Sequence, residues 1–141
     1  MLKIAFASDD RVTVNQHFGA ARGFAIYALD GERAQLIELA EFPPESMDGN
    51  ENKLPSKIAA LAGCAAVVCL AAGASAVKHL VAAGVQPVRL DDEAAIDSLL
   101  KQISVAIRNG GVDWVDKALR KNTDADRFER MAADGWLDEG E

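Results

Sequence analysis

The stretch "CAAVVCLAAGASAVKHLVAAG", residues 64–84, is the most informative part of the sequence about the fold, because it has the pattern of a strand, a turn and a helix in succession. Its first seven residues are an unbroken apolar run, which is typical of a strand buried on both faces of a sheet. A helical pattern follows from Gly73 and is closed by Gly84, since glycine suits the end of a helix. The stretch therefore predicts a buried strand and a helix that packs on it.

The segment after this unit repeats the same alternation of strand and helix. "QPVRL", residues 86–90, predicts a short strand that tolerates proline at its start. Asp91 or Asp92 is then placed to cap a third helix, whose apolar stripe runs from Ile96 to Ile107. Strand, helix, strand and helix in this order favour right-handed crossovers and parallel pairing.

A first helix precedes the central unit. Apolar residues spaced at i, i+4 and i+7 predict it over residues 54–61, with Pro55 tolerated in its first turn. Gly63 stands just past its end, where a left-handed cap is expected. The polar stretch 43–52, "PPESMDGNEN", has no periodicity and predicts a surface loop.

Three strands open the chain. "LKIAFAS", residues 2–8, alternates apolar side chains as a buried strand does. The runs 23–29 and 34–42 alternate in the same way and are separated by a turn that contains Asp30 and Gly31. Because an Asp-Gly pair supplies the positive φ of a tight turn, these two runs predict an antiparallel hairpin.

The predicted order of elements is βββαβαβα, which indicates an α/β fold with a mixed five-stranded sheet flanked by helices. Among known folds, this order most resembles ribonuclease H. We assign residues 1–110 to this domain and residues 111–141 to an acidic C-terminal extension of two short amphipathic helices. The extension either docks on the domain or contacts a partner, and helical spacing of its apolar residues favours docking.

Composition excludes several classes of protein. The 141 residues contain 15 Lys and Arg against 22 Asp and Glu, so the net charge of −7 opposes nucleic-acid binding. The longest apolar run, residues 64–77, is shorter than the roughly 20 residues that cross a bilayer. Both cysteines lie in this run and no secretion signal is visible, so we expect a cytoplasmic protein with reduced thiols.

The expected ligand site lies where parallel strands end. In open sheets, ligands bind outside the carboxyl ends of the strands, near the point where the strand order reverses. This rule selects the loop after the first strand and the turn before the second helix. It brings together Ser8, Asp9, His17 and Cys69, facing the backbone amides of residues 73–76. A helix N-terminus of this kind favours anions.

His17 can be a metal ligand, a general base or a hydrogen-bonded loop residue, and Cys69 can be a ligand or a buried structural thiol. Two cysteines exclude a permanent four-thiolate iron-sulfur site and do not form a closed zinc site. Ser8 lacks the nucleophile elbow of a hydrolase. Asp9 and Asp10 alone are too few carboxylates for a ribonuclease H type nuclease. The residues suit transient holding of a ligand better than catalysis.

Two segments carry a family resemblance. Residues 1–29, with "NQHFG", and residues 52–90, with "GC", "GASA" and "GVQPV", resemble the nitrogenase cofactor-biosynthesis domain shared by NifX, NifY, NafY and the C-terminal part of NifB. The resemblance covers about residues 1–108. The segment 126–136, "DRFERMAADGW", is similar to NifX-type members. Because the chain starts directly with the domain, we expect a stand-alone member of that type.

The resemblance implies a ribonuclease H-like fold without nuclease activity. It also implies a non-catalytic carrier that transiently binds an iron-sulfur precursor or the iron-molybdenum cofactor and passes it between nitrogenase cofactor assembly proteins. The family's cofactor-binding histidine falls on His17, and Cys69 is a possible second ligand. Arg11 and Arg22 either stabilise the anionic cluster or are solvated surface charges. The full candidate set is Ser8, Arg11, Asn15, His17, Arg22, Cys69, Gly73 and Ser75.

Two other functions compete with the carrier. In the first, the chain is a partner-binding chaperone or regulatory module of nitrogenase maturation, and its acidic extension contacts an assembly protein. In the second, Asp9, Asp10 and His17 form a small metal-dependent hydrolase. The sequence does not indicate the oligomeric state or the identity of the cluster.

Overall fold

The computed structural model describes residues 1–42 and 50–121, and for 50–53 the backbone alone. A central sheet of five strands and four helices make up most of these ranges. The elements in chain order are β1 (Leu2–Ala7), β2 (Thr13–Val14), β3 (Gly23–Leu29), β4 (Ala34–Glu41), α1 (Asn50–Ala60), β5 (Ala66–Cys69), α2 (Ala74–Ala82), β6 (Gln86–Arg89), β7 (Ala94–Ala95), α3 (Ile96–Asn109) and α4 (113–121).

The sheet is mixed, as the sequence predicts. Its strand order is β4-β3-β1-β5-β6, with β1 in the centre. β1 pairs antiparallel with β3 and parallel with β5, and β5 pairs parallel with β6. The predicted α/β class and five-stranded sheet are therefore confirmed, and the ribonuclease H-like label stays a prediction.

The predicted hairpin joins β3 to β4. Gly31 has a φ of 97°, a conformation that L side chains rarely adopt. The Asp30 carboxylate accepts hydrogen bonds from the backbone N–H groups of Glu32, at 2.9 Å, and Arg33, at 2.8 Å. The Asp-Gly pair thus supplies both the backbone angle and the hydrogen bonds of the turn.

Hydrophobic layers cover both faces of the sheet, because successive side chains of β1 point in opposite directions. Leu2, Ile4 and Phe6 pack with α3 and α4 on one face. Ala5 and Ala7 pack on the other face with apolar side chains of α1 and α2. The small alanines leave room on this second face for the aromatic side chains that support the candidate site.

Helix α1 differs from its prediction. The predicted loop 43–52 is helical from Asn50 onward, and residues 43–49 lie outside the described residues. Pro55 consequently lies inside the helix and not in its first turn. Residues 50–53 are all polar in the sequence and the apolar spacing begins at Leu54, so periodicity placed the start of α1 one turn too late.

A two-stranded ladder between β2 and β7 is missing from the sequence prediction. Thr13 pairs with Ala95 and Val14 with Ala94, and the N–H of Ile96 donates to the Val12 carbonyl at 2.8 Å. This ladder keeps the chain extended until Ala95, which is the N-cap of α3. The predicted caps at positions 91 and 92 are therefore wrong. Two-residue strands are too short to produce a periodic signal.

The start of the C-terminal extension docks on the domain. In α4, Val115 is 1% exposed and Ala118 is 7% exposed, and both belong to the core that includes Phe6. Trp114 and Leu119 pack beside them. The second predicted helix, within 123–141, lies outside the described residues. Every helix within the described ranges is too short or too polar to span a bilayer.

Candidate functional site

The loop after β1 is organised by two polar side chains. Asp10 accepts hydrogen bonds from the N–H groups of Val12 and Thr13 and from the Thr13 hydroxyl, each at 2.8 Å. The Ser8 hydroxyl donates to Asp10 at 3.1 Å and accepts from the Arg11 N–H at 2.8 Å. Ser8, a predicted site residue, is 4% exposed. It supports the loop from inside.

A second pair closes the same loop. The Asn15 side-chain amide donates to the Asp9 carboxylate at 2.8 Å, and its oxygen accepts from the Asp9 N–H at 3.2 Å. The Asn15 N–H donates to the Ala7 carbonyl at 3.2 Å. Asn15, another predicted site residue, therefore holds the ends of the loop together.

Asp10 makes the loop sensitive to acid. Hydrogen bonds from the backbone of Thr13 and Val12 favour the carboxylate and lower the Asp10 pKa from 3.8 to about 2. Because the folded pKa lies below the unfolded one, the stabilisation is complete above about pH 4 and is lost as the pH falls through 2. We expect the Asp10 carboxyl carbon and the Thr13 amide to titrate together near pH 2 by NMR. A midpoint near 4 for both would contradict this assignment.

His17 lies on a short extension of the sheet beyond the carboxyl end of β5. The Leu70 N–H donates to the Gln16 carbonyl at 3.0 Å, and the Phe18 N–H donates to the Ala71 carbonyl at 2.7 Å. These two bonds flank His17. Since side chains alternate along an extended segment, Phe18 points inward and is 0% exposed, whereas His17 is exposed. The fold thus presents the imidazole to solvent at the predicted edge.

Aromatic packing in the core holds the His17 segment in place. The Phe18 ring stacks on Phe24 of β3, with centroids 5.6 Å apart and an interplanar angle of 28°. Phe24 in turn meets Phe42 edge to face, at 5.7 Å. The row joins the His17 segment to the hairpin, so the position of His17 depends on buried aromatic contacts.

Lys57 is the site residue that sequence reasoning missed. It is 1% exposed, and its ammonium donates to the carbonyl of Gly19, two residues after His17. Its nitrogen also lies 5.8 Å from the centre of the Phe42 ring. Lys57 follows Leu54 by three residues and so shares its apolar stripe on α1. A lysine on an apolar stripe is the signal that could have identified it.

The amino end of α2 follows the His17 contact in sequence. Gly73, its N-cap, has an extended backbone and forms no side-chain cap hydrogen bond. Gly73, Ala74 and Ser75 are exposed, and a Cβ on Gly73 would meet no atom within 4 Å. The first-turn N–H groups of α2 thus border open space, beside residues 70–71 that contact the His17 segment. Gly73 and Ser75 therefore follow shortly after the residues that the His17 segment contacts.

Cys69 is not exposed at this edge. It is 0% exposed in the core layer that also contains Phe18, and Cys64 is 4% exposed. Burial raises the pKa of each thiol to about 11, which disfavours the thiolate that ligates metals. The sequence leaves two interpretations of Cys69 open, a ligand and a buried structural thiol, and the structure favours the buried thiol. Cys69 is therefore not a proposed ligand.

Arg11 and Arg22 line a separate groove of about 310 Å³, which runs along β3 and β4. Arg11 has a φ of 65° and pairs with Glu41 at 3.4 Å, both side chains being more than half exposed. Such a pair contributes little to stability. The N–H of Arg22 donates to the Gln16 side chain at 2.8 Å, which links this groove to the His17 segment.

The donor set at His17 is small. Within residues 1–42 and 50–121, no three His, Cys, Asp or Glu side chains form a group that could hold a metal ion. At this edge the chain can therefore offer the exposed imidazole of His17 and the amide N–H groups at the start of α2. Such a set suits a ligand that brings most of its own coordination and is later released.

Comparisons with known proteins agree on one family. Residues 1–105 match the family described as "Dinitrogenase iron-molybdenum cofactor". The chain is 49% identical to Protein NifX of Azotobacter vinelandii over 138 residues, which covers 96% of this chain and 87% of the relative. It is 34% identical to Protein NifX of Klebsiella pneumoniae over 133 residues, which covers 92% of this chain and 80% of the relative.

A solved structure supports the fold. The crystal structure of PH0822 superposes with a TM-score of 0.55 and 24% sequence identity, covering 73% of this chain and 88% of that one. Similarity at this level of identity indicates a shared architecture and nothing more.

Proposed function

The chain belongs to the dinitrogenase iron-molybdenum cofactor family, and from this membership we propose that it is a non-catalytic carrier in iron-molybdenum cofactor biosynthesis. Its cargo is an iron-sulfur precursor or the iron-molybdenum cofactor, bound transiently and passed between nitrogenase cofactor assembly proteins. The observation that carries the proposal is the exposed His17, held at the carboxyl edge of the sheet beside an uncapped helix N-terminus.

His17 supplies the coordinating atom. A neutral imidazole nitrogen can occupy an open iron or molybdenum position of a cluster whose other ligands travel with it. One such bond is weak enough to be exchanged for a ligand of an acceptor protein. Several thiolates would hold the cargo more tightly, and both cysteines in this chain are buried.

The amide groups of α2 supply the electrostatic part. An iron-sulfur cluster in this setting is anionic, and the first turn of a helix carries unpaired N–H groups and a partial positive charge. Gly73 leaves the approach open because a Cβ there would meet no neighbouring atom. The backbone of Arg22 is linked through the Gln16 side chain to the His17 segment, and we assign the Arg22 guanidinium group a supporting positive charge toward the cluster. These contacts offset the repulsion expected from the net charge of −7.

The test compares wild-type protein with the His17→Ala variant under anaerobic conditions. Each is mixed with isolated cofactor precursor and separated by gel filtration, and the iron that elutes with the protein is measured. We expect His17→Ala to bind the precursor about tenfold more weakly or worse, because it loses the only coordinate bond that we assign. His79→Ala replaces the other histidine of the chain and is expected to retain the wild-type amount of iron.

The other outcomes separate the competing functions. Equal iron on the wild type and His17→Ala would move the binding site away from His17. If neither protein retained iron, the partner-binding module without its own cluster would replace the carrier. Cys69→Ala is a further control, which should keep its iron because the Cys69 thiol is buried.

The geometry does not favour the hydrolase. Both oxygens of Asp10 already accept hydrogen bonds within the loop, and Asp9 is paired with Asn15. These carboxylates are therefore engaged in loop structure. His17 lies on a different segment, whose hydrogen bonds run to Leu70 and Ala71.

A further inference from the structure

A second concave surface lies at the opposite end of the sheet from His17. It is a groove of about 500 Å³ at the amino ends of β1 and β5, bordered by the carboxyl end of α2 and by α4. This volume falls in the usual range for small-molecule sites. The groove is distant in the topology from the carboxyl edge, so the proposed carrier function does not use it.

One face of α4 lines the groove. Trp114, Lys117, Ala118 and Lys121 all border it, and they are spaced at i, i+3, i+4 and i+7. This spacing places them along one side of a helix. Ala118 is buried and Trp114 is half-buried, whereas both lysines are exposed. The helix therefore presents an indole ring and two ammonium groups to the same space.

The charged residues that line the groove are lysines. Lys3 of β1 adds a third ammonium group, which lies 3.5 Å from the Ala62 carbonyl at the edge of the groove. Among the lining residues in the described part of the chain there is no aspartate or glutamate. In a protein with a net charge of −7, three lysines in a lining whose described residues include no acid create a local site for an anion.

The remaining wall is apolar. Val81 at the end of α2 is 59% exposed and Met1 is 61% exposed, and both border the groove. Exposed aliphatic side chains next to an indole ring favour an apolar body, while the lysines favour an acidic group. We propose that this groove binds a small organic anion that joins an aromatic or aliphatic body to a carboxylate or sulfonate.

The test uses anilinonaphthalene sulfonate, which has an aromatic body and one sulfonate group. The protein is the full chain with Trp136→Phe. Because the chain has two tryptophans, Trp114 is then the one that remains. We expect saturable binding of one probe per chain, with quenching of Trp114 emission as the probe fluoresces. N-phenylnaphthylamine, the same kind of body without the sulfonate, is expected to bind about tenfold more weakly.

Lysine variants locate the site. The double variant Lys117→Gln with Lys121→Gln should weaken the sulfonate probe about tenfold and leave the neutral probe unchanged. Replacing Lys78 and Lys101, which are exposed and do not line the groove, should change neither. Absence of saturable binding, equal binding of both probes, or no effect of the double variant would each overturn the proposal.

Discussion

Replacing Phe18 with alanine is expected to lower the free energy of unfolding by about 3–5 kcal/mol. The ring is 0% exposed and stacks on Phe24, so its removal leaves a cavity and deletes an aromatic contact. A loss of this size is a large part of the 5–15 kcal/mol typical of a single domain. Urea unfolding followed by circular dichroism measures it.

Phe18→Leu is the matched control, because it keeps an apolar side chain of moderate size in the same space. We expect a loss of about 1–2 kcal/mol for this variant, since repacking is incomplete. A loss below about 1 kcal/mol for Phe18→Ala itself would show that the ring does not support the fold as described.

Phe18→Ala also tests how His17 is positioned. The Phe18 N–H donates to Ala71, and this bond joins the His17 segment to the end of β5. With the ring gone, we expect faster hydrogen exchange of this amide and weaker retention of the precursor, although the imidazole is still present. Normal retention with rapid exchange would mean that His17 binds its cargo without a fixed backbone.

Replacing Lys57 with methionine is expected to cost about 1–3 kcal/mol of unfolding free energy. Methionine keeps much of the length and the apolar stem of the side chain, so packing on α1 changes little. What is lost is the ammonium group that donates to the Gly19 carbonyl and lies near the Phe42 ring. The loss of this charge-assisted hydrogen bond is the main cost.

Lys78→Met is the control for the lysine substitution. Lys78 is exposed on α2, and a surface change of this kind is usually within about 0.5 kcal/mol. For Lys57→Met, hydrogen exchange should increase around Gly19 and His17, and precursor retention should fall. Unchanged stability and exchange would show that Lys57 does not hold this segment.

The sequence predicted the parts of the site that depend on local pattern and topology. The strand and helix in residues 64–84 predicted parallel pairing, and parallel pairing placed His17 and the start of α2 at one edge. The hydrogen bonds of Ser8 and Asn15, two of the predicted site residues, stabilise the loop after β1. Polar residues that build a loop and polar residues that bind a ligand have the same appearance in a sequence.

The α/β class and the mixed five-stranded sheet were predictable from the sequence alone. Their signals are the alternation of apolar residues, the Asp30-Gly31 turn and the two strand-helix units, and each signal arises between neighbours in the chain. The burial of Cys69 in the core, the contact of Lys57 with Gly19 and the lysine-lined groove beside α4 become visible only in the folded chain. Lys57 and Gly19 are 38 positions apart, and the groove brings Lys3 and Lys117 together from near opposite ends of the described sequence. Such contacts depend on how completed elements pack together, and periodicity within an element carries no information about its distant partners.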